Sequence, residues 1–102
     1  MKKLISMLAV GAILAAVYPA AAQTADLYKT KCQVCHGADG KGDTPAGQKV
    51  GAKDFHSPEV AKMSDTELME LIKKGKGKMQ GYNGKLTDDQ IKDLVKYIRA
   101  LK

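Results

Sequence analysis

The chain has 102 residues, of which 17 are Lys or Arg and 11 are Asp or Glu, so its formal net charge is +6. A chain of this length forms one domain at most, and it buries proportionately little of its surface on folding. The basic residues are interspersed with acidic ones, which argues against a basic nucleic-acid-binding tail and favours a solvated surface or a site for an acidic protein.

The first 22 residues have the layout of a secretory signal peptide. Lys2 and Lys3 precede an uncharged apolar stretch, Leu4 to Val17, whose 14 residues fall short of the roughly 20 that a membrane-spanning helix needs. Ala20 and Ala22 meet the small-residue requirement of a cleavage site, so we predict cleavage after Ala22. An uncleaved anchor or a buried amino-terminal helix is the alternative.

The predicted mature protein is a single domain, residues 23–102, which we expect in the periplasm without stable insertion into a membrane. Removal of Lys2 and Lys3 lowers the net charge from +6 to +4, so the basic sign remains. We expect a basic protein that is exported to bind an acidic protein rather than nucleic acid. Because a domain this small is marginal on its own core, we expect a bound cofactor to add apolar surface.

The first predicted helix of this domain begins at Ala25, with Thr24 as its N-cap, and runs to Cys32. Leu27 and Tyr28 recur at helical spacing within it. This helix leads directly into the motif that carries the chemistry.

The segment Cys32–His36 reads C-x-x-C-H. Two thiols at this spacing can add to the two vinyl groups of one haem edge, and the following histidine is then placed as the proximal iron ligand. A thioredoxin-like pair would need a preceding strand. A zinc site would need two further ligands, and only His56 and acidic side chains are left to supply them. The motif therefore predicts one haem c bound covalently through Cys32 and Cys35, with His36 on the iron.

Turn-forming residues dominate the segment 37–51, so we predict an irregular loop that wraps the cofactor. They are Gly37, Asp39, Gly40, Gly42, Asp43, Pro45, Gly47 and Gly51. A short helix follows, with Ser57 as N-cap, Pro58 as its first residue and an end near Lys62.

Two capping-box patterns predict two further helices. The first, Ser64 to Glu67, opens a helix that ends at Gly75, and the second, Thr87 to Gln90, opens the last helix. Apolar residues recur at steps of three and four along both helices: Leu68, Leu71 and Ile72, and then Ile91, Leu94, Val95, Ile98 and Leu101. No strand pattern occurs.

The predicted mature domain has three methionines that could supply a second iron ligand. Met69 lies within a predicted helix and is expected in the core, whereas Met63 precedes the Ser64 cap and could line a crevice without ligation. Met79 lies in a flexible glycine-rich loop and is free to approach the iron. We therefore favour Met79, with Met63 as the alternative and His56 as a third possibility.

At Leu27, Tyr28, the Cys32–Gly37 segment, Met79 and the closing helix with Tyr97, the chain resembles the short class I cytochromes c of the bacterial periplasmic type. The resemblance implies an all-α class I cytochrome c-like domain wrapped around one covalently bound haem. It also implies that Met79 is the distal iron ligand.

The same resemblance implies that a proline in the loop after the motif accepts, through its carbonyl, a hydrogen bond from the ligand histidine. Pro45 is the candidate for this role. Family members often have a proline directly after the ligand methionine, whereas this sequence has Gln80. We therefore expect a less rigid loop around Met79.

Iron bound by both His36 and Met79 has no open position, which predicts an electron carrier rather than an enzyme. We expect a monomer whose redox partners dock through acidic patches on a ring of lysines near the haem edge. These lysines are Lys41, Lys49, Lys53, Lys73, Lys74, Lys76, Lys78 and Lys85. The alternative is a haem peroxidase or gas-binding sensor with a labile distal site, although no distal histidine and arginine pair is evident.

Overall fold

Helices make up nearly all the regular structure of this protein, whose computed structural model describes residues 18–102. In chain order they are α1 (Ala20–Lys31), α2 (Gln33–His36), α3 (Pro45–Val50), α4 (Pro58–Ala61), α5 (Asp65–Lys74) and α6 (Asp88–Ala100). Within residues 18–102, strand pairing is limited to two isolated bridges, Lys76 with Met79 and Asn83 with Leu86. The predicted all-α fold is confirmed.

The predicted signal peptide falls almost wholly outside the described residues, which begin at Tyr18. Across residues 18–102, no helix has the length and hydropathy of a transmembrane span.

The last helix, α6, carries the centre of the core. Its residues Ile91, Leu94, Val95 and Ile98 are all buried. Both α1 and α5 pack on α6, whereas among the described helices α1 and α5 do not pack on each other. The central helix α6 therefore joins α1 to α5.

The start of α1 differs from the prediction. The helix begins at Ala20 rather than Ala25, and Thr24 is not its cap but a buried residue whose Oγ1 donates to the carbonyl of Ala20 at 3.0 Å. Alanine has the highest helix propensity, so Ala20–Ala22 extend the helix upstream. The predicted cleavage position after Ala22 thus lies inside the first turns of α1.

The segment predicted to be an irregular loop contains a helix, α3. The Thr44 side chain accepts a hydrogen bond from the Gly47 amide at 2.9 Å, Pro45 occupies the first helical position, and Gly51 ends the helix in the left-handed conformation with φ of 69°. The prediction of irregular structure was therefore wrong for residues 45–50, because Gly47 is not a turn residue. It is buried where a side chain would not fit.

Three of the predicted helix ends are confirmed. Ser57 caps α4 with Pro58 at the first position, Gly75 ends α5 with φ of 76°, and both hydrogen bonds of the Thr87–Gln90 capping box are present. The Ser64 box differs in one bond: its hydroxyl accepts from the Glu67 amide and donates to the Glu67 carboxylate, both at 3.1 Å, while the carboxylate does not reach back to the Ser64 amide.

Candidate haem site

A cavity of about 600 Å³ brings together the residues that the motif analysis selected. Cys32, Cys35, His36 and Met79 all line it, and so does Met63, the alternative ligand. The remaining lining is largely apolar. It includes Leu68 and Ile72 from α5 and Leu94 and Ile98 from α6. A space of this size with this lining suits a large flat apolar cofactor.

Both cysteines are free thiols that line this cavity. A single helical turn connects them to the histidine, because the Cys32 carbonyl accepts from the amides of Cys35 at 3.2 Å and His36 at 3.0 Å. Burial raises the pKa of the Cys32 thiol to about 11, so this sulfur stays protonated at neutral pH. The donor set of two reduced thiols and one imidazole in one turn fits covalent haem attachment.

Two groups hold the His36 ring in place. Its Nδ1 lies 3.2 Å from the carbonyl oxygen of Lys53, and the ring stacks on Phe55 with centroids 4.5 Å apart and planes 22° from parallel. Burial lowers the pKa of His36, while the hydrogen bond to Lys53 opposes that shift. Because a carbonyl only accepts, Nδ1 carries the proton and Nε2 keeps a free lone pair for a metal.

The carbonyl that orients His36 is that of Lys53, not that of Pro45 as the resemblance implied. Pro45 is the first residue of α3, where its carbonyl points along the helix axis. Its local role is to start that helix. A backbone carbonyl has no side-chain signature, so nothing in the sequence singled out Lys53.

Met79 is presented by a tight turn at the end of α5. The Met79 amide donates to the Lys76 carbonyl at 3.0 Å, and the Met79 carbonyl accepts from the Lys76 amide at 3.1 Å. Gly77 between them has φ of 59°. A Cβ atom on Gly75 would come within 2.5 Å of the Met79 carbonyl, so the turn folds back closely on α5. Met79 is half-buried and reaches the cavity from this turn.

The two alternatives to Met79 differ in their placement. Met63 is partly buried against the core and lines the cavity, and its carbonyl accepts from the Arg99 guanidinium at 2.6 Å. His56 is exposed, its Nε2 lies 2.8 Å from the Asp39 carbonyl, and it does not line the cavity. The structure therefore does not bring His56 to the site.

Polar contacts that the sequence did not reveal hold the residues after Met79. The Gln80 side-chain amide donates to the hydroxyl of Tyr82 at 3.1 Å, and that hydroxyl donates to the Lys31 carbonyl at 3.2 Å. The backbone of Tyr82 also donates to the Ile72 carbonyl at 2.9 Å. The only available signal was that Tyr82 is the single aromatic residue in a glycine-rich loop. These hydrogen bonds constrain the loop more than we expected from the absence of a proline at position 80.

Three of the eight predicted docking lysines, Lys53, Lys76 and Lys78, line the cavity, together with Lys31, which was not predicted. Lys53, Lys73 and Lys74 form salt bridges with Glu59, Asp88 and Glu70. Lys31, Lys76 and Lys78 line the cavity and form no salt bridge among residues 18–102. We call these three residues the cavity-mouth lysines.

Comparison with known proteins identifies the family of this chain. Residues 19–98 match the family model described as cytochrome c oxidase, cbb3-type, subunit III. No curated protein sequence matches the chain.

Several solved structures share the fold. The KustC0563 c-type cytochrome is 37% identical with a TM-score of 0.70, and the match covers 78% of this chain and 96% of that one. Cytochrome c6C from Synechococcus sp. PCC 7002 is 26% identical with a TM-score of 0.58, covering 74% and 89%. The c-type cytochrome XoxG from Methylobacterium extorquens AM1 is 25% identical with a TM-score of 0.60, covering 79% of this chain and 49% of that one.

The family match, the cavity and the C-x-x-C-H turn agree on one prosthetic group. The chain has two cysteines, which is the number that one haem c needs. It belongs to the cytochrome c family, as a small class I cytochrome c that binds one haem c covalently and carries electrons.

Proposed function

We propose that this cytochrome is exported to the periplasm and shuttles single electrons between redox proteins through a haem c with His36 and Met79 as its axial ligands. The observation that carries the proposal is that one cavity is lined by His36 and Met79, which reach it from separate segments. His36 is held by residues 53–55, and Met79 by the turn at the end of α5.

When bound, the haem supplies a one-electron iron centre whose potential is raised by a thioether ligand. The protein supplies the ligand geometry. The Lys53 carbonyl keeps the proton on Nδ1 of His36, so Nε2 is the donor atom. With the Met79 sulfur as the second ligand, no position remains for a small molecule, and the largely apolar lining keeps water away.

The cavity-mouth lysines support docking of an acidic partner. Lys31, Lys76 and Lys78 line the cavity and are exposed. Positive charge there speeds encounter with an acidic patch while leaving the complex weak enough to dissociate. A monomer exposes this face continuously to successive partners. Since we propose that the protein is exported, we do not expect nucleic acid as its partner.

Export to the periplasm is supported by the sequence of residues 1–22, with cleavage after Ala22. Amino-terminal sequencing of the purified secreted protein tests it, and we expect Gln23 as the first residue.

Absorption spectroscopy of the secreted holoprotein tests the ligands. The ferric protein should show the weak red band of methionine-ligated haem, and the reduced protein should fail to bind carbon monoxide. Met79→Ala should abolish the band and admit carbon monoxide, whereas Met63→Ala, the matched control on the same cavity, should change neither. Carbon monoxide binding by the unaltered protein would instead favour the gas-binding or peroxidase alternative.

Electron-transfer rates to an acidic redox protein, measured against ionic strength, test the docking surface. The rate should fall as salt rises, because the screening length shrinks to roughly 8 Å at physiological ionic strength. Lys76→Glu with Lys78→Glu should lower the low-salt rate, while Lys92→Glu on α6, which does not line the cavity, should leave it nearly unchanged. A rate that is independent of salt refutes steering.

A further inference from the structure

Gln80 joins the segment that presents Met79 to the segment that presents the cysteines. Its side-chain amide donates to the Tyr82 hydroxyl at 3.1 Å, and that hydroxyl donates to the carbonyl of Lys31 at 3.2 Å. Gln80 directly follows Met79, and Lys31 directly precedes Cys32. The two ends of this relay are thus each one residue away from a group that holds the haem.

The relay crosses a gap that helix packing leaves open. Among the described helices, α1 and α5 each pack on α6 but not on each other. The cavity lies between the ends of these two helices, at Lys31 and at the loop that follows Lys74. A hydrogen-bonded connection between Lys31 and Gln80 therefore restricts how far the two walls can separate.

Tyr82 is a firm centre for this connection because it is anchored from three directions. Only 5% of its surface is exposed. Its amide donates to the Ile72 carbonyl on α5 at 2.9 Å, and its hydroxyl contacts both Gln80 and Lys31. Lys85 approaches the other side of the Gln80 amide, with Nζ 3.4 Å from Oε1, so both polar atoms of Gln80 are engaged.

We propose that Gln80 is a positioning residue that, through Tyr82, holds the Met79 sulfur against the haem iron and so sets how readily an outside ligand displaces it. The proposal rests on Met79 being the distal ligand, as proposed above. Rigidity that a proline could provide through its ring is provided here by a side-chain hydrogen bond. The Met79 turn itself needs no part of the relay, since it closes through Lys76.

The affinity of the ferric holoprotein for imidazole measures this property, because imidazole must displace Met79 to reach the iron. Loss of one neutral hydrogen bond should raise that affinity roughly threefold to tenfold in Gln80→Ala. Gln80→Glu has nearly the same size, but its carboxylate can only accept, so it competes with the Lys31 carbonyl for the single proton of the Tyr82 hydroxyl. The relay is then broken at Lys31, and imidazole affinity should rise in this variant as well. Lys85→Met leaves the Gln80–Tyr82 bond intact and should change the affinity less than twofold.

Tyr82→Phe removes the centre of the relay and should raise imidazole affinity at least as much as Gln80→Ala. The double variant should then be no worse than Tyr82→Phe alone, since residues in one network are not additive. Gln48→Ala, at a glutamine whose side chain bonds to Asp43 in another part of the fold, is the matched control and should have no effect.

The outcomes separate this inference from the proposed function. If the unaltered protein lacks the red methionine band, the assignment of Met79 itself fails. If the band is present but Gln80→Ala leaves both band and imidazole affinity unchanged, or only lowers the unfolding midpoint, the positioning role of Gln80 is overturned while Met79 ligation stands.

Discussion

Gly47 of α3 lies directly against the carbonyl oxygen of Cys35, so closely that a Cβ atom at position 47 would come within 2.1 Å of it. The N-cap of the same helix adds to this contact, because the Thr44 hydroxyl lies 2.7 Å from the Val34 carbonyl and 3.0 Å from that of Cys35. Helix α3 is therefore a clamp on the haem-attachment turn.

Gly47→Ala should loosen that clamp. The added methyl group cannot fit without separating α3 from α2, and overpacking of this kind costs about 1–3 kcal/mol. Guanidinium unfolding of the holoprotein would measure the loss. Gly51→Ala, where a Cβ meets no atom within 4 Å but φ is 69°, isolates backbone strain and should cost roughly 1 kcal/mol. Equal losses at both positions would contradict the clamp.

Tyr28→Phe should destabilise the holoprotein by about 1–2 kcal/mol. Tyr28 is 1% exposed, and its hydroxyl donates to the Gly37 carbonyl at 2.5 Å. Phenylalanine would remove this buried hydrogen bond and leave the carbonyl with only the more distant Gly40 amide, at 3.3 Å, as a donor. Tyr97, whose ring lies 5.0 Å from that of Tyr28, has no hydroxyl hydrogen bond within residues 18–102. Tyr97→Phe is the matched control, and a loss there as large as at Tyr28 would contradict the role of the Gly37 bond.

The same tyrosine predicts a loss of stability in alkali. Burial, with smaller contributions from neighbouring groups, raises the pKa of Tyr28 above its usual 10.0. As the pH rises, the unfolded state therefore loses the Tyr28 proton before the folded state does. The contribution of Tyr28 to the free energy of unfolding is complete below about pH 10 and declines above it. Unfolding midpoints measured from pH 8 to pH 11 should fall more steeply for the unaltered protein than for Tyr28→Phe. Parallel curves would refute this linkage.

Phe55→Leu should remove the aromatic support of the iron ligand. The ring of Phe55 stacks on His36 at 4.5 Å and lies 6.5 Å from Tyr28. Loss of these contacts and of buried area should cost about 1–2 kcal/mol in thermal unfolding. Lys92→Ala, at an exposed position of α6 that does not line the cavity, should change stability by less than about 0.5 kcal/mol. A Phe55→Leu protein as stable as the unaltered one would show that the stack is not stabilising.

Replacement of both Cys32 and Cys35 by Ala should leave the chain largely unfolded. Without covalent haem, a cavity of about 600 Å³ lies beside a core of nine buried hydrophobic side chains, and a domain this small cannot close around it. Far-ultraviolet circular dichroism should show most of the helical signal lost, while Val34→Ala, which keeps both cysteines, retains it. Full helicity in the double variant would contradict this expectation.

Features that depend on neighbouring residues in the chain could be predicted from the sequence. The Thr87–Gln90 capping box and the Ser57–Pro58 start of α4 are local, because each bond spans three residues. The C-x-x-C-H turn is equally local, so Cys32, Cys35 and His36 lie together on the cavity as expected.

Features that depend on distant contacts could not be predicted. Glycine at position 47 is typical of a turn, but the residue there must be glycine because the Cys35 carbonyl oxygen leaves no room for a side chain. Thr24 has the signature of a cap, but it is buried, and α1 continues past it. The partner of His36 is a backbone carbonyl that any residue at position 53 would supply.

The central position of α6 determines the order in which the helices can pack. A polypeptide made from its amino terminus exposes Cys32 and Cys35 long before it contains Asp88–Ala100. Until that stretch exists, α1 and α5 lack the helix on which both of them pack. The hydrophobic interior therefore closes only when the last helix docks, and the two thiols stay accessible for haem attachment until then.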